Sequence, residues 1–207
     1  MKVTIQEEFV MEHSATFSIR QVVIMSLFAG ISFLLMFISF PILPFVSYLK
    51  VDFSDIPILL GMIMFGPAGG ILIAAIKSLL YWLLTGVDVA NLIGIVASFI
   101  SSMSLLLPIA AALKHTQGKK LWTRLILSIV ASTISLSIVM GLLNYFILTP
   151  LYISVLGMKI TMPLAKLVLY GVVPFNLIKG VIVGLVFAIV VDRMKHFLSQ
   201  HSTLISE

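Results

Sequence analysis

The chain contains no cysteine and very little charge. The absence of cysteine from its 207 residues excludes disulfide bonds, thiolate chemistry and cysteine-based metal sites. Only 10% of the residues are charged, against about 25% in an average soluble domain. Since 60% are hydrophobic, the chain cannot cover its surface with polar side chains. The composition therefore indicates an integral membrane protein.

The long apolar runs also lack the groups on which membrane enzymes and ion-coupled transporters depend. All histidines lie in the termini or the central loop, so no apolar run carries a Ser/His pair or a metal site. The aspartates, Asp55 included, lie at the ends of runs, which leaves no carboxylate at mid-span to carry a proton or a sodium ion. No G-x-x-x-x-G-K-[S/T] phosphate loop occurs. We therefore expect no enzyme activity, and expect a partner to supply energy for uphill transport.

Apolar runs and turn residues predict one domain, residues 1–207, that is an all-α integral membrane protein with six transmembrane helices. The spans are predicted at about 20–40, 56–65, 67–86, 89–113, 122–149 and 165–193. The stretch 56–86 is too long for one ordinary span, and the glycine and proline cluster Phe65–Gly70 ends one helix and begins another. The resulting short second helix covers only about half of the roughly 30 Å hydrocarbon thickness.

Positive residues predict the orientation of these spans. Six spans place Arg20, the loop segment 114–124 with its four basic residues, and the pair Arg193 and Lys195 on one side of the membrane. Clustered lysine and arginine mark the cytoplasmic side. We therefore expect a multi-pass membrane protein with both termini in the cytoplasm. The net charge of +5 follows from these loops and not from a nucleic-acid-binding stripe.

The segment Pro41–Asp55 is predicted to be a structured outer loop between the first and second helices. Pro41 and Pro44 stop the first helix, and Phe45–Phe53 alternates apolar and polar residues as a short β-hairpin arm would. Non-helical backbone near the membrane is tolerated where it is buried in protein or lines a cavity. The loop is thus a candidate lid. The alternative is an interfacial loop with aromatic anchors.

Polar side chains within the spans are candidates for a binding site, because each costs a few kcal/mol there. They are Lys77, Asn91, Asn144, Asn176 and Lys179. The lysines have an alternative interpretation, in which their long stems carry the ammonium groups to the interface. The asparagines can instead join helices by hydrogen bonds, and Asn91 can simply cap a helix.

Three motifs in order resemble the substrate-binding S components of energy-coupling-factor (ECF) transporters, and specifically the riboflavin-binding branch. They are Lys50-Val-Asp-Phe-Ser-Asp-Ile-Pro57, Phe65-Gly-Pro-Ala-Gly-Gly70 leading to Lys77-Ser-Leu-Leu80, and Pro174-Phe-Asn-Leu-Ile-Lys179. The resemblance covers essentially the whole chain. It implies six helices, cytoplasmic termini, a short second helix and a first outer loop that acts as a gate. It also implies assembly with a transmembrane coupling subunit and two ATP-binding-cassette ATPases.

The resemblance further implies a pocket for riboflavin, held as the transported ligand with no cofactor. A flat ring with a polar edge needs an apolar slot and a few fixed hydrogen-bonding groups. Lys179 and Asn144 are predicted to be those groups, and Lys77, Asn91 and Asn176 are further candidates. The loop residues predicted to close over the ring are Leu43, Pro44, Phe45 and Tyr48. Asp55 is expected to cap the second helix or to pair with a lysine.

The first helix carries Ser26-Leu-Phe-Ala-Gly30, a small-x-x-x-small motif. In S components a motif of this kind lets the coupling subunit approach the helix closely, so Ser26, Gly30 and Ala29 are predicted docking residues. Ordinary packing within the protein is the alternative. The same composition leaves open an S component for another vitamin, or a stand-alone facilitator or channel for a small solute. A channel would need a continuous polar path, whereas the cytoplasmic halves of the spans are nearly all apolar.

Overall fold

The computed structural model describes residues 17–201 except Ser47 and Thr161, and it leaves the side chains of Phe45 and His201 undescribed. In chain order the elements are α1 Ile19–Phe37, β1 Phe40–Pro41, a 3₁₀ turn Pro44–Val46, β2 Lys50–Val51, α2 Asp55–Thr85, α3 Val89–His115, α4 Leu121–Leu143, a π-helical segment π1 Asn144–Leu148, α5 Thr149–Leu156, α6 Leu164–Leu167, a second π-helical segment π2 Val168–Val172, and α7 Val173–His201.

Five of the described helices are long and apolar enough to cross a membrane. They are Ile19–Phe37, Asp55–Thr85, Val89–His115, Leu121–Leu156 and Leu164–Gln200, the last two each running through a π-helical segment. The protein is therefore a mostly helical, multi-pass membrane protein.

Helix α2 is broken at Gly66, where φ is 76° and ψ is 176°. A side chain would strain the backbone in this conformation, and Pro67, which follows, has no N–H to donate to the preceding turn. The break predicted within Phe65–Gly70 is therefore present, and it separates a short first part of α2 from a longer second part.

Helix packing closes the bundle around an apolar core. Helix α1 packs on α2, α2 on α3, α3 on α4, α4 on α7, and α7 returns to α2. Helices α4 and α7 approach each other closely at two glycines. A Cβ atom added to Gly180 would stand 2.7 Å from Thr133 Oγ1, and one added to Gly184 would stand 2.7 Å from Ile129 Cγ2. This glycine pair, four residues apart, lets the two helix backbones meet.

The outer loop forms a short antiparallel hairpin in which Phe40 pairs with Val51 and Pro41 with Lys50. The prediction placed both strands within Phe45–Phe53, and that placement is wrong. Residues Pro44–Val46 instead form the 3₁₀ turn, and Val46 is fully buried. The turn packs against π2, so burial of Val46 holds the loop on the helix bundle.

Candidate functional site

A cavity of about 240 Å³ lies between the outer loop and the helices. Its lining comes from almost every element of the fold and comprises Met36, Ser39, Tyr48, Leu49, Lys50, Asp52, Tyr81, Gly94, Ala97, Ser98, Ser101, Met140, Asn144, Leu148, Tyr152, Phe175, Asn176 and Lys179. Apolar and aromatic side chains supply about half of this lining, and the rest is polar or charged, namely Ser39, Lys50, Asp52, Ser98, Ser101, Asn144, Asn176 and Lys179. A combination of apolar surface and placed polar groups suits a small organic ligand.

Lys179 of α7 supplies the buried ammonium group of this lining. Its Nζ atom lies 3.2 Å from Asp55 Oδ2 and donates a hydrogen bond of 3.0 Å to Ser101 Oγ. An ammonium group has three N–H donors, so these two partners fix the group and leave one donor for the cavity. Lys179 therefore does not extend to the interface, and that alternative is wrong.

Asn144 and Asn176 line the cavity from π1 and α7, and both are almost fully buried. Each side-chain NH₂ group donates a 2.8 Å hydrogen bond to the carbonyl four residues earlier, Asn144 to Met140 and Asn176 to Val172. These bonds set the orientation of both amides. Each amide thus keeps its carbonyl oxygen and one N–H for a ligand.

Asn144 also begins π1, and Asn176 follows π2 by one helical turn. A π-helical segment widens the helix by one residue and occurs frequently at functional sites. Asn144 therefore lies in the irregular part of its helix, and Asn176 donates its hydrogen bond to the last residue of such a part, Val172.

A second layer of charge lies directly behind Lys179. Asp55 is 2% exposed and accepts a 2.6 Å hydrogen bond from Ser102 Oγ through Oδ1, while Oδ2 faces Lys179. Lys77 is fully buried and donates to Ser102 Oγ at 3.4 Å and to Ser54 Oγ at 3.3 Å. The carboxylate of Asp55 thus contacts the ammonium group of Lys179 directly and is linked to that of Lys77 through Ser102.

Asp55 pairs with a lysine, as one of the two expectations held, but it does not cap α2. Ser54 occupies the N-cap position, and no side chain caps the helix there. Asp55 lies at the end of a span, as expected, because it is the first residue of α2, and there it is buried in the bundle against α7. Asp55 and Lys77 do not line the cavity, because each is turned toward the buried polar groups around Ser102.

Among the predicted loop residues, Tyr48 lines the cavity, whereas Leu43 and Pro44 do not. Leu43 precedes the 3₁₀ turn and Pro44 begins it, and their contact with a ligand stays a prediction. The side chain of Phe45 lies outside the described part of the chain. Partial burial raises the pKa of Tyr48 above 10.0, and the neighbouring phenol of Tyr152 adds to the rise, so the Tyr48 hydroxyl keeps its proton in neutral solution.

Asn91 does not line the cavity, and its contact with a ligand stays a prediction. Its side chain donates to Asp88 Oδ2 at 2.7 Å and to the carbonyls of Thr85 and Gly86, and its backbone N–H donates to Asp88 Oδ1 at 2.8 Å. Asn91 therefore joins the end of α2 to the start of α3, as its alternative interpretation proposed.

The serines of α3 were not among the predicted site residues. Ser98 and Ser101 line the cavity, and Ser102 contacts Asp55. Their spacing of three and four residues within one apolar span places them on the same helix face, which was the signal available. The aromatic lining by Tyr81, Tyr152 and Phe175 carried no comparable signal, because aromatic residues occur throughout the spans.

The small residues of α1 lie in different surroundings. Ser26 is exposed and Gly30 is partly exposed, with no atom within 4 Å of a Cβ added to it. Ala29 is fully buried in the core, so its placement on an exposed docking surface is wrong.

Within the residues that the structure describes, no group of three or more His, Cys, Asp or Glu side chains is placed to hold a metal ion. The chemistry of the cavity is that of hydrogen bonding and aromatic contact.

Comparisons with known proteins agree with this architecture. Residues 20–191 match the family described as the ECF transporter, substrate-specific component. The chain is 36% identical over 183 residues to the riboflavin transporter RibU of Staphylococcus aureus (strain TCH60), covering 87% of this chain and 93% of that protein. It is 32% identical over 184 residues to the riboflavin transporter FmnP of Bacillus subtilis (strain 168), covering 88% and 95% respectively.

A solved structure is similar as well. It is described as "Structure and mechanism of the S component of a bacterial ECF transporter", and it superposes with a TM-score of 0.72 at 35% identity, covering 86% of this chain and 97% of that one.

Proposed function

The chain belongs to the family of substrate-specific components of ECF transporters, and from that premise we propose that it is the riboflavin-binding subunit of an uptake system. The observation that carries the proposal is the cavity, in which Lys179, Asn144 and Asn176 present oriented polar groups beside apolar and aromatic side chains.

The chemistry of riboflavin fits this lining. Its ring system is flat and aromatic, with a polar pyrimidine edge that holds both donors and acceptors, and it carries a hydroxylated chain. Tyr152 and Phe175 offer aromatic surface to the ring, while the ammonium of Lys179 and the two amides match the polar edge. Riboflavin is here the cargo of the protein, not a cofactor.

The outer loop acts in this proposal as the lid of the cavity. Tyr48, Leu49, Lys50 and Asp52 contribute to the lining from the loop, so displacement of the loop would open the cavity to its surroundings. In this proposal the two parts of α2 on either side of the break at Gly66 act as separate membrane segments, which makes six spans. With six spans both termini lie in the cytoplasm.

Energy for uptake comes, in this proposal, from a transmembrane coupling subunit and two ATP-binding-cassette ATPases. The sequence carries no phosphate-binding loop of its own. Ser26 and Gly30 on α1 leave room for a partner helix to approach closely.

Titration of the purified protein with riboflavin, followed by quenching of flavin fluorescence, tests the proposal. We expect saturable quenching with a dissociation constant well below micromolar, and no competition by an excess of thiamine or biotin. Absence of quenching, with tight binding of another vitamin instead, would assign the protein to a different substrate. Uptake of solute by the chain alone in liposomes, without ATPases, would favour a facilitator.

A further inference from the structure

We propose that Asp55 is a positioning residue for ligand binding, which holds the ammonium of Lys179 at the cavity from behind, and that Ser102 holds Asp55 in turn. This inference rests on the proposed function, because it concerns the same cavity. Asp55 and Ser102 do not line the cavity, so neither acts by touching the ligand.

The first step concerns the freedom of Lys179. A lysine side chain ends in a compact ammonium on a flexible stem of four carbons, and ordering it costs up to about 2 kcal/mol of rotamer entropy. The contacts with Asp55 Oδ2 at 3.2 Å and Ser101 Oγ at 3.0 Å order the side chain when the protein folds. The entropy is therefore lost before any ligand binds. A ligand then meets a donor that is already in place, which strengthens binding.

The second step concerns what fixes Asp55. Its other oxygen accepts the 2.6 Å hydrogen bond from Ser102 Oγ, and the neighbouring Ser54 is tied to α1 by a hydrogen bond from Ser32 Oγ to its carbonyl oxygen. The carboxylate is thus held between α1, α2, α3 and α7. A carboxylate fixed on both oxygens defines the direction of the lysine more narrowly than a mobile one would.

The third step concerns Lys77, whose ammonium reaches Asp55 only through Ser102. It has no place in the cavity lining. Lys77 therefore keeps a positive charge close to Asp55 when Lys179 is replaced, so a Lys179 variant retains part of the charge balance that the buried carboxylate requires.

A purely structural role for Asp55 is the alternative, in which the ion pair only holds α2 against α7. The two roles differ in one respect. A positioning residue matters for affinity only while Lys179 is present, whereas a residue that supports the bundle matters equally with and without Lys179.

The test is a double-variant cycle on the purified full chain, with riboflavin as the probe and fluorescence quenching as the measurement. Asp55→Asn should weaken riboflavin binding roughly tenfold in the natural background, and by less than about twofold in the Lys179→Met background. The absorption bands of the bound flavin should move in Asp55→Asn toward those in Lys179→Met. The reason is that the positive charge beside the ring is displaced in the first variant and absent from the second. Equal losses of affinity in both backgrounds would overturn the inference.

Ser102→Ala provides a second test that leaves every charge in place. It keeps the inference testable if Asp55→Asn does not fold. Its matched control is Ser104→Ala, in which a buried serine of the same helix loses a hydrogen bond to the carbonyl four residues earlier but no contact with Asp55. We expect Ser102→Ala to weaken binding several-fold, Ser104→Ala to leave it unchanged, and Asp55→Glu to retain more affinity than Asp55→Asn.

Equal affinities of Ser102→Ala and Ser104→Ala would contradict the role of Ser102, and undiminished binding in Asp55→Asn would contradict that of Asp55. Either result is distinct from failure of the proposed function, in which the natural protein itself would not bind riboflavin.

Discussion

Asp55 and Lys179 form an ion pair of 3.2 Å in the interior of the helix bundle, between the first residue of α2 and the second turn of α7. Removal of one member of a buried pair leaves an uncompensated charge and typically costs about 3–5 kcal/mol, while joint replacement by neutral groups is often nearly neutral. The pair therefore links the stability of the fold to the polar side of the cavity, and its two effects can be separated by experiment.

Replacement of Lys179 by methionine should weaken riboflavin binding by about 1–3 kcal/mol, or roughly one to two decades in affinity. The reason is that a polar group of the ligand loses its donor in a closed cavity. The same change should lower the thermal stability of the ligand-free protein, because Asp55 loses its direct partner. Fluorescence titration and a melting curve in detergent measure the two effects separately.

The double variant Asp55→Asn with Lys179→Met is the control for this prediction. It removes both members of the pair but leaves the buried ammonium of Lys77 without its neighbouring carboxylate, so the melting temperature should stay below that of the natural protein while the affinity stays as low as in Lys179→Met. Natural affinity in a well-folded Lys179→Met protein would remove Lys179 from the ligand contacts.

Truncation of either cavity asparagine should weaken binding without unfolding the protein. Asn144→Ala and Asn176→Ala each remove one oriented amide, and we expect a loss of about 1–3 kcal/mol in binding free energy for each. Asn91→Ala is the matched control, since Asn91 is bonded to Asp88, Thr85 and Gly86 and does not line the cavity. If all three variants lose affinity equally, the loss would reflect general destabilisation of the bundle.

The fold was largely predictable, because the composition and the apolar runs dictate helices that cross a membrane. The break at Gly66 was predictable too, since a Gly-Pro step cannot continue a helix. The strands of the outer loop were not, because pairing of Phe40 with Val51 depends on where the 3₁₀ turn packs on π2, which is a tertiary contact.

The types of residue in the site were predictable from the sequence, but the contacts between them were not. Four of the predicted site residues, Lys179, Asn144, Asn176 and Tyr48, line the cavity, while nothing in the local sequence indicated which lysine Asp55 would meet. That contact depends on the packing of α2 against α7. Local sequence carries no information about which helices become neighbours.

The predicted orientation can be tested with single cysteines, since the natural chain contains none. Lys50, Lys119 and Lys159 are exposed, Lys50 in the outer loop, Lys119 between α3 and α4, and Lys159 between α5 and α6. Cysteines at positions 50 and 159 should react with an impermeant maleimide in intact cells, whereas one at 119 should react only after permeabilisation. Labelling of position 119 in intact cells would contradict the six-span topology with cytoplasmic termini.

The small residues of α1 are predicted to separate binding from transport. Gly30→Leu and Ser26→Leu add bulk to an exposed face, so the purified variants should bind riboflavin normally. Uptake of labelled riboflavin by cells that contain the coupling subunit and ATPases should be lost, because the partner helix can no longer approach closely. Ile31→Phe adds bulk to an exposed residue about 100° further round α1 and should leave uptake intact.

Ala29→Leu, next to Gly30, should instead destabilise the protein. Ala29 is fully buried, so the larger side chain must displace core atoms, and overpacking of this kind costs about 1–3 kcal/mol. We therefore expect a lower melting temperature with binding and uptake reduced together, whereas Gly30→Leu should melt like the natural protein and lose uptake alone. Melting curves, titrations and uptake assays on the two neighbouring variants make the comparison. A Gly30→Leu protein that melts as low as Ala29→Leu would show that the motif serves internal packing, and would remove the docking role from this face of α1.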